Sequence, residues 1–121
     1  MEWCETPAVR KVVAVNDVLG GFEHKVLLAT VRLGGSAYSV PIVRELESRN
    51  GKAVAPAAVY VTLRRLEKRG LVESRMASPT DGRGGRDRRV FRVTAAGLER
   101  LRATRRELDQ LWEGVEALDL P

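Results

Sequence analysis

Ten basic residues lie between Arg64 and Arg92, and nine of them are arginines. Four acidic residues share this stretch, so its net charge is +6, whereas the whole chain of 121 residues carries +5. A guanidinium group can donate two parallel hydrogen bonds to a phosphate or to the edge of a guanine base. A segment that holds all of the excess charge is typical of a surface that binds a polyanion.

Other kinds of chemistry find little support in the residue types. His24 and Cys4 are the only histidine and cysteine, and a metal site needs three or four ligands. No serine or cysteine stands with a histidine and an acid in the order of a catalytic triad, and no phosphate-binding loop with its lysine occurs. We therefore predict no enzyme, no cofactor and no metal.

The composition indicates a globular chain in a reducing compartment. Hydrophobic residues make up 44% of the chain, which is enough for a core. A single cysteine allows no disulfide within the chain, and no apolar stretch reaches the ~18 residues of a membrane helix. The N-terminus lacks the basic and apolar pattern of a signal peptide, so we expect a cytoplasmic protein that does not contact the membrane.

Two helices are predicted ahead of the basic segment. Phe22 to Leu33 lies between two glycine pairs, and its apolar residues recur at helical spacing. Ser39 to Arg49 is the second helix, with Ser39 as a plausible N-cap and Pro41 in its first turn. Residues 1–19 form an N-terminal extension for which the sequence predicts no role.

The third predicted helix, Pro56 to Arg69, differs sharply between its two faces. Val59, Leu63 and Leu66 form a narrow apolar stripe, and the opposite face is small or apolar at first and then basic. The free N–H groups of a helix N-terminus suit a phosphate, hydroxyls can donate to one, and arginine can reach a guanine. The predicted DNA contacts here are Ala57, Tyr60, Val61, Thr62, Arg64 and Arg65. The alternative is a solvated surface helix with Tyr60 partly in the core.

A β-hairpin with a long loop follows. Leu71 to Met76 and Arg89 to Val93 alternate apolar and polar residues around a basic loop rich in glycine. Arginines on such a loop can enter a minor groove or hold phosphates, and we predict contacts from Arg83, Arg86, Arg88 and Arg89. Strand alternation places Arg88 and Arg89 on opposite faces, so these side chains cannot all face DNA. The alternatives are a solvated basic hairpin or an RNA-binding Arg-Gly-Gly-Arg segment.

A last helix is predicted from its N-cap Thr94 to about Leu118. About 25 residues would make a helix of about 37 Å, longer than a three-helix core can cover, so its apolar seam needs a partner. The predicted homodimer interface is Leu98, Leu101, Leu108, Leu111, Trp112 and Val115. The alternative is a helix folded back on its own domain. Trp112 is also a candidate for stacking on a small aromatic effector, although simple interface packing is the plainer interpretation.

These segments together resemble the PadR-like family of transcriptional regulators. The resemblance covers roughly residues 19–115 and rests on Leu19-Gly20-Gly21-Phe22-Glu23-His24, Ala37-Tyr38-Ser39, Val59-Tyr60-Val61-Thr62-Leu63-Arg64-Arg65-Leu66 and Arg83-Gly84-Gly85-Arg86. Ser39 stands where the family usually has glycine. The resemblance implies a homodimer, commonly a repressor, that binds double-stranded DNA at a palindromic operator, in the short subfamily with one C-terminal helix.

The expected fold is mainly α with a small antiparallel β-hairpin: a winged helix-turn-helix domain over 20–93 and a C-terminal dimerisation helix over 94–121. Two alternatives stay open. A winged helix can serve as a protein-interaction module that binds no specific DNA. A MarR-like regulator is also a winged-helix dimer, but this chain looks too short for its larger helical dimer region.

Overall fold

The computed structural model describes residues 19–77 and 88–115. Its elements in chain order are α1 (Gly21–Arg32), β1 (Ser36–Tyr38), α2 (Ser39–Asn50), α3 (Pro56–Lys68), β2 (Val72–Ala77), β3 (Arg88–Val93) and α4 (Ala95–Trp112). The predicted class, mainly helical with a small antiparallel sheet, is confirmed. The N-terminal extension up to residue 18 and the predicted hairpin loop at 78–87 lie outside the described residues.

The first three helices enclose the core because each has an apolar stripe at helical spacing. Val59, Leu63 and Leu66 of α3 are fully or almost fully buried, as the periodicity predicts. They belong to the same core cluster as Val26 and Leu27 of α1. The other large core residues are Leu19, Ile42, Val43, Leu46, Leu71, Val72, Phe91 and Leu101.

A short turn fixes the angle between α2 and α3. Gly51 ends α2 in the left-handed conformation (φ 71°), and its N–H donates to the Glu47 carbonyl oxygen at 2.8 Å. The Glu47 carboxylate then accepts the Val54 N–H at 3.0 Å. Pro56 opens α3, where its missing N–H costs no hydrogen bond. The predicted N-cap Ser39 is wrong: Ser39 is the first residue of α2, and the N-cap is Tyr38.

The sheet has three antiparallel strands in the order β1-β3-β2. Sequence analysis predicts the β2–β3 hairpin but misses β1, whose three residues are too few to show alternation. Pairing with β3 defines β1, with Ala37 opposite Phe91 and Tyr38 opposite Val90. On the other side of β3, Ser74 of β2 stands opposite Phe91. Phe91 is fully buried, so this face of the sheet covers the helices.

Thr94 caps α4, as predicted, because its hydroxyl accepts the Gly97 N–H at 3.0 Å and donates to the Gly70 carbonyl at 2.8 Å. The predicted end of the helix near Leu118 is wrong. The helix ends at Trp112, and Gly114 follows with φ 81°, a stop that the sequence displays. Its 18 residues span about 27 Å.

Candidate nucleic-acid interface

The outer face of α3 is open to solvent along its first half. Ala57 and Ala58 are exposed, and Val61 is 47% exposed. Tyr60 rests the edge of its ring on the buried Phe91, with centroids 5.9 Å apart and planes at 79°, yet stays 40% exposed. The core therefore fixes the direction of the Tyr60 ring while part of the side chain faces outward. Small side chains beside it leave the helix backbone accessible.

The second half of α3 carries the cations. Arg65 and Lys68 are exposed, and neither forms an ion pair within residues 19–77 and 88–115. Arg64 is partly exposed, with its Nε 3.6 Å from Glu67 Oε1. Arg69 points away from this surface and donates to Glu23 of α1 at 3.0 Å. Of the four cations in α3 and its C-cap, Arg64, Arg65 and Lys68 thus belong to the outer surface, whereas Arg69 has a structural role.

Thr62 is not available as a phosphate donor. The side chain is only 6% exposed, because it lies on the buried side of α3 next to Leu63. Its predicted DNA contact is therefore wrong. The helical position of Thr62 lies three residues after Val59, which places both on the same face.

Arg89 of β3 forms a hydrogen bond within the fold. Its Nη1 donates to Ser74 Oγ at 2.9 Å, and the Ser74 hydroxyl donates to the Glu67 carboxylate. Ser74 is fully buried. These three residues link α3 to both strands of the hairpin, and Arg89, which is partly exposed, stays a predicted DNA contact. Sequence analysis does not predict that Glu67 and Ser74 form this link. The available signal was that Ser74, a polar residue, lies on the same face of β2 as the apolar Val72.

Arg88 lies on the opposite face of the sheet, as strand alternation predicts. The side chain is exposed, and its guanidinium lies 5.7 Å from the centroid of the Tyr38 ring in β1. This contact orients the guanidinium at the end of the hairpin without neutralising its charge. Arg92 on the same face is held by Glu73 at 2.7 Å. The other predicted hairpin contacts, Arg83 and Arg86, lie outside the described residues.

The predicted seam of α4 divides at Leu101. Leu101 is 6% exposed and belongs to the core of its own domain, so its assignment to a dimer interface is wrong. Leu98 is partly buried. Beyond Leu101 the apolar residues are open to solvent, with Leu111 75% and Trp112 55% exposed. Leu108 and Val115 are exposed as well.

His24 of α1 is the described group whose pKa shifts clearly. Burial lowers its pKa from the ordinary 6.5, because desolvation penalises the charged imidazolium. Its Nδ1 is buried and makes no hydrogen bond to any described residue. The described part of the chain brings no three His, Cys, Asp or Glu side chains together in a way that could hold a metal. Among the helices described, none has the length and apolarity to span a membrane.

Three helices followed by a β-hairpin, with the third helix exposed along one face, define a winged helix-turn-helix protein. The model of the PadR-like family of transcriptional regulators matches residues 27–103. The chain belongs to this family. It is a family of transcriptional regulators and not of enzymes, as the sequence predicts.

Individual relatives agree with this assignment. The transcriptional regulator Rv3488 of Mycobacterium tuberculosis is 45% identical over 64 residues, which cover 53% of this chain and 56% of that protein. The match thus spans little more than half of that relative. A PadR family regulator from Eggerthella lenta superposes with a TM-score of 0.61 at 27% identity, over 75% of this chain and 77% of that one. A PadR-like transcription factor from Bacteroides fragilis gives 0.66 at 22%, over 78% and 86%, which shows the fold alone.

Proposed function

We propose that the chain binds specific sequences of double-stranded DNA and acts as a homodimer on a palindromic operator, where it represses transcription. The observation that carries this proposal is the outer face of α3, which is small or apolar at its N-terminal half and basic at its C-terminal half. Exposed valine and tyrosine, beside cations that form no ion pair within residues 19–77 and 88–115, are more typical of a binding surface than of a helix with a purely structural role.

Each exposed side chain of α3 has a role that fits the chemistry of the major groove. Ala57 lets the helix N-terminus approach a phosphate, and Val61 fits the methyl group of a thymine. Arg65 reaches a guanine edge or a phosphate, with Arg64 beside it. Tyr60 donates its hydroxyl to the DNA backbone.

The hairpin supplies contacts beside those of α3. Arg88 holds a flanking phosphate, and Arg83 and Arg86 are proposed to contact the backbone or the minor groove. The link between Glu67, Ser74 and Arg89 supports a joint surface, because it fixes the hairpin relative to α3.

The homodimer is proposed to form through the exposed apolar residues of α4. A second copy covers Leu108, Leu111, Trp112 and Val115, with Leu98 at the edge of the contact. Pairing two α3 helices about one DNA turn apart gives the affinity and specificity that one small module lacks. Trp112 is further proposed to stack on a small aromatic effector that relieves repression.

Selection of bound duplexes from a random pool, followed by fluorescence anisotropy on the selected site, tests the DNA proposal. Arg65→Ala is expected to weaken binding by about 1–3 kcal/mol and to relax the sequence preference. Arg102→Ala is the matched control, because Arg102 is an exposed arginine on α4, which packs on α1 and β3. Weak, salt-insensitive binding to every duplex would contradict the proposal and favour a protein-interaction module.

Three further measurements address the finer points. Light scattering gives the oligomeric state, and monomers at micromolar concentration would contradict the dimer. A reporter gene behind the selected site gives the sense of regulation, and rising transcription would contradict repression. Fluorescence of Trp112 in a Trp3→Phe variant follows aromatic compounds, and an unchanged emission across the panel would contradict the effector.

A further inference from the structure

A chain of polar contacts runs from the outer face of α3 to the hairpin through the carboxylate of Glu67. Glu67 Oε1 lies 3.6 Å from Arg64 Nε, and Glu67 Oε2 accepts a hydrogen bond from the Ser74 hydroxyl. Ser74 Oγ in turn accepts a hydrogen bond from Arg89 Nη1 at 2.9 Å. One carboxylate therefore connects two arginines that are predicted to contact DNA, one on α3 and one on β3.

The residue types fix the direction of each hydrogen bond in this chain. Arginine has no acceptor, so Arg89 must donate to the Ser74 hydroxyl, and the single proton of that hydroxyl goes to Glu67. Within residues 19–77 and 88–115 no ion pair joins Arg89 to Glu67 directly, so Ser74 is their link. Hydrogen bonds in such a chain polarise one another, so a change at either arginine alters the contacts of the carboxylate.

Burial restricts the choice of partners for the middle of the chain. Ser74 is fully buried, and the Glu67 side chain is only 14% exposed, so either group would be left desolvated if its partner departed. Arg64 differs, because 43% of its side chain is exposed and an ion pair this exposed is weak. Arg64 is thus the member that leaves Glu67 most easily for a phosphate or a base.

We propose that Glu67 and Ser74 set the specificity of DNA binding by restraining Arg64 and Arg89, without contacting DNA themselves. A phosphate of any duplex attracts both arginines, and the restraint opposes their movement toward it. A duplex whose groups lie where the restrained side chains already point needs no such movement and gains the full contact. Removal of one arginine leaves Glu67 to hold the other more firmly, because both share one carboxylate. This inference rests on the proposed binding of specific DNA.

Glu67→Gln separates this role from a purely structural one. Glutamine keeps the size of the side chain and an acceptor for the Ser74 hydroxyl, but it removes the charge that restrains Arg64. Binding to a random duplex, measured by fluorescence anisotropy, is expected to tighten by at least about two-fold, and its salt slope is expected to steepen by up to about one unit. The preference for the selected duplex over the random one is expected to fall by at least about three-fold. Weaker binding to both duplexes, or an unchanged preference, would overturn the proposal.

Glu45→Gln is the matched control for the loss of one negative charge. The Glu45 side chain is 19% exposed and pairs with Arg32 and Arg49, which lie on α1 and α2. This variant is expected to leave the preference unchanged, and an equal fall would overturn the role of Glu67. A loss of preference at a single base pair in Glu67→Gln would show that Glu67 reads a cytosine directly, which would also overturn the proposal.

A double-mutant cycle tests the route through Ser74. Replacing both Arg64 and Arg89 with alanine is expected to weaken binding to the selected duplex by at least about two-fold less than the product of the two single effects. In a Ser74→Ala background the two effects are expected to multiply, because the link is absent. Multiplicative effects in the parent, or the same shortfall in both backgrounds, would overturn the route. The Glu67→Gln background gives a second version of the cycle that does not depend on whether Ser74→Ala folds.

Nuclear magnetic resonance of the arginine side chains tests the coupling without DNA. Glu67→Gln is expected to move the Nε–H signals of both Arg64 and Arg89 and to leave that of the exposed Arg44 on α2 unchanged. Movement of the Arg64 signal alone would overturn the coupling. A chain that binds no duplex contradicts the proposed function, and these signals still decide the coupling. A chain that selects a duplex with unchanged preference in Glu67→Gln contradicts the specificity role and leaves the DNA proposal intact.

Discussion

Gly97 in the first turn of α4 has no room for a side chain. A Cβ added there would lie 2.2 Å from the Leu71 carbonyl oxygen and 2.9 Å from Val93 Cγ1. The backbone oxygen cannot move independently of the connection between α3 and β2, so α4 must retreat by about 1 Å. We therefore expect Gly97→Ala to destabilise the protein.

Two opposing effects set the magnitude. Alanine favours a helix over glycine by up to about 1 kcal/mol. Overpacking of this kind costs about 1–3 kcal/mol. The retreat also stretches the hydrogen bond from the Thr94 N–H to the Leu71 carbonyl, now 3.1 Å, which is worth about 1 kcal/mol. The free energy of unfolding is therefore expected to fall by about 1–3 kcal/mol.

Gly21→Ala provides the matched control. Gly21 begins α1, and a Cβ there would meet no atom within 4 Å. This variant is expected to keep or slightly raise the stability, because only the helix preference changes. Urea unfolding followed by circular dichroism compares both variants with the parent at one protein concentration, since any dimer makes stability depend on concentration. If Gly97→Ala unfolds at the same or a higher urea midpoint than the parent, the close packing of α4 is refuted.

Three further perturbations give defined results. Thr94→Val is expected to lower the free energy of unfolding by about 1–2 kcal/mol in the same urea assay, because it removes the helix cap and the hydrogen bond to the Gly70 carbonyl. Thr104→Val, which makes the same change in the middle of α4, is the control, and a smaller loss of stability in Thr94→Val than in this control would contradict the prediction. Burial lowers the folded pKa of His24, so the unfolded chain binds more protons and stability falls as the pH drops through about 6.5. His24→Gln is expected to reduce the difference between the urea midpoints at about pH 7.5 and about pH 5.5. An unchanged difference would show that His24 is not the source of the pH dependence of stability. Leu111→Asp is expected to yield monomers by light scattering, whereas Arg102→Asp is expected to leave the oligomeric state unchanged.

Local periodicity predicts most of the fold. The apolar spacing of Val59, Leu63 and Leu66 identifies the buried face of α3, and alternation places Arg88 and Arg89 on opposite faces of β3. The strand β1 is not predicted, because it is a strand only by virtue of its hydrogen bonds to β3, more than fifty residues away in the sequence. The end of α4 was missed for a different reason. Gly114 is a visible stop signal, and the apolar spacing that continues past it outweighed that signal.

Predicting which side chains are exposed for binding requires the tertiary contacts, which sequence periodicity does not reveal. Leu101 continues the apolar spacing of α4 and yet belongs to the core, because α4 stays packed on α1 and β3 up to that turn. Thr62 has a residue type that suits phosphate, but its neighbours on the helix are buried. The Glu23–Arg69 ion pair joins residues 46 apart, and no short pattern announces it.

The cations of the segment 64–92 have two different roles, and the net charge of the segment does not distinguish them. Arg69, Arg89 and Arg92 are held by Glu23, Ser74 and Glu73, so they join the helices and strands to one another. Of the other described cations in this segment, Arg65, Lys68 and Arg88 are exposed, and Arg64 and Arg75 are partly exposed. The first set keeps α3 and the hairpin in one arrangement, and the second set gives that arrangement its charge. Rigidity matters for recognition, because side chains ordered before binding lose less entropy when a partner is bound. The arginine-rich segment is therefore basic partly for binding and partly for holding its own elements together, and only contact geometry separates these roles.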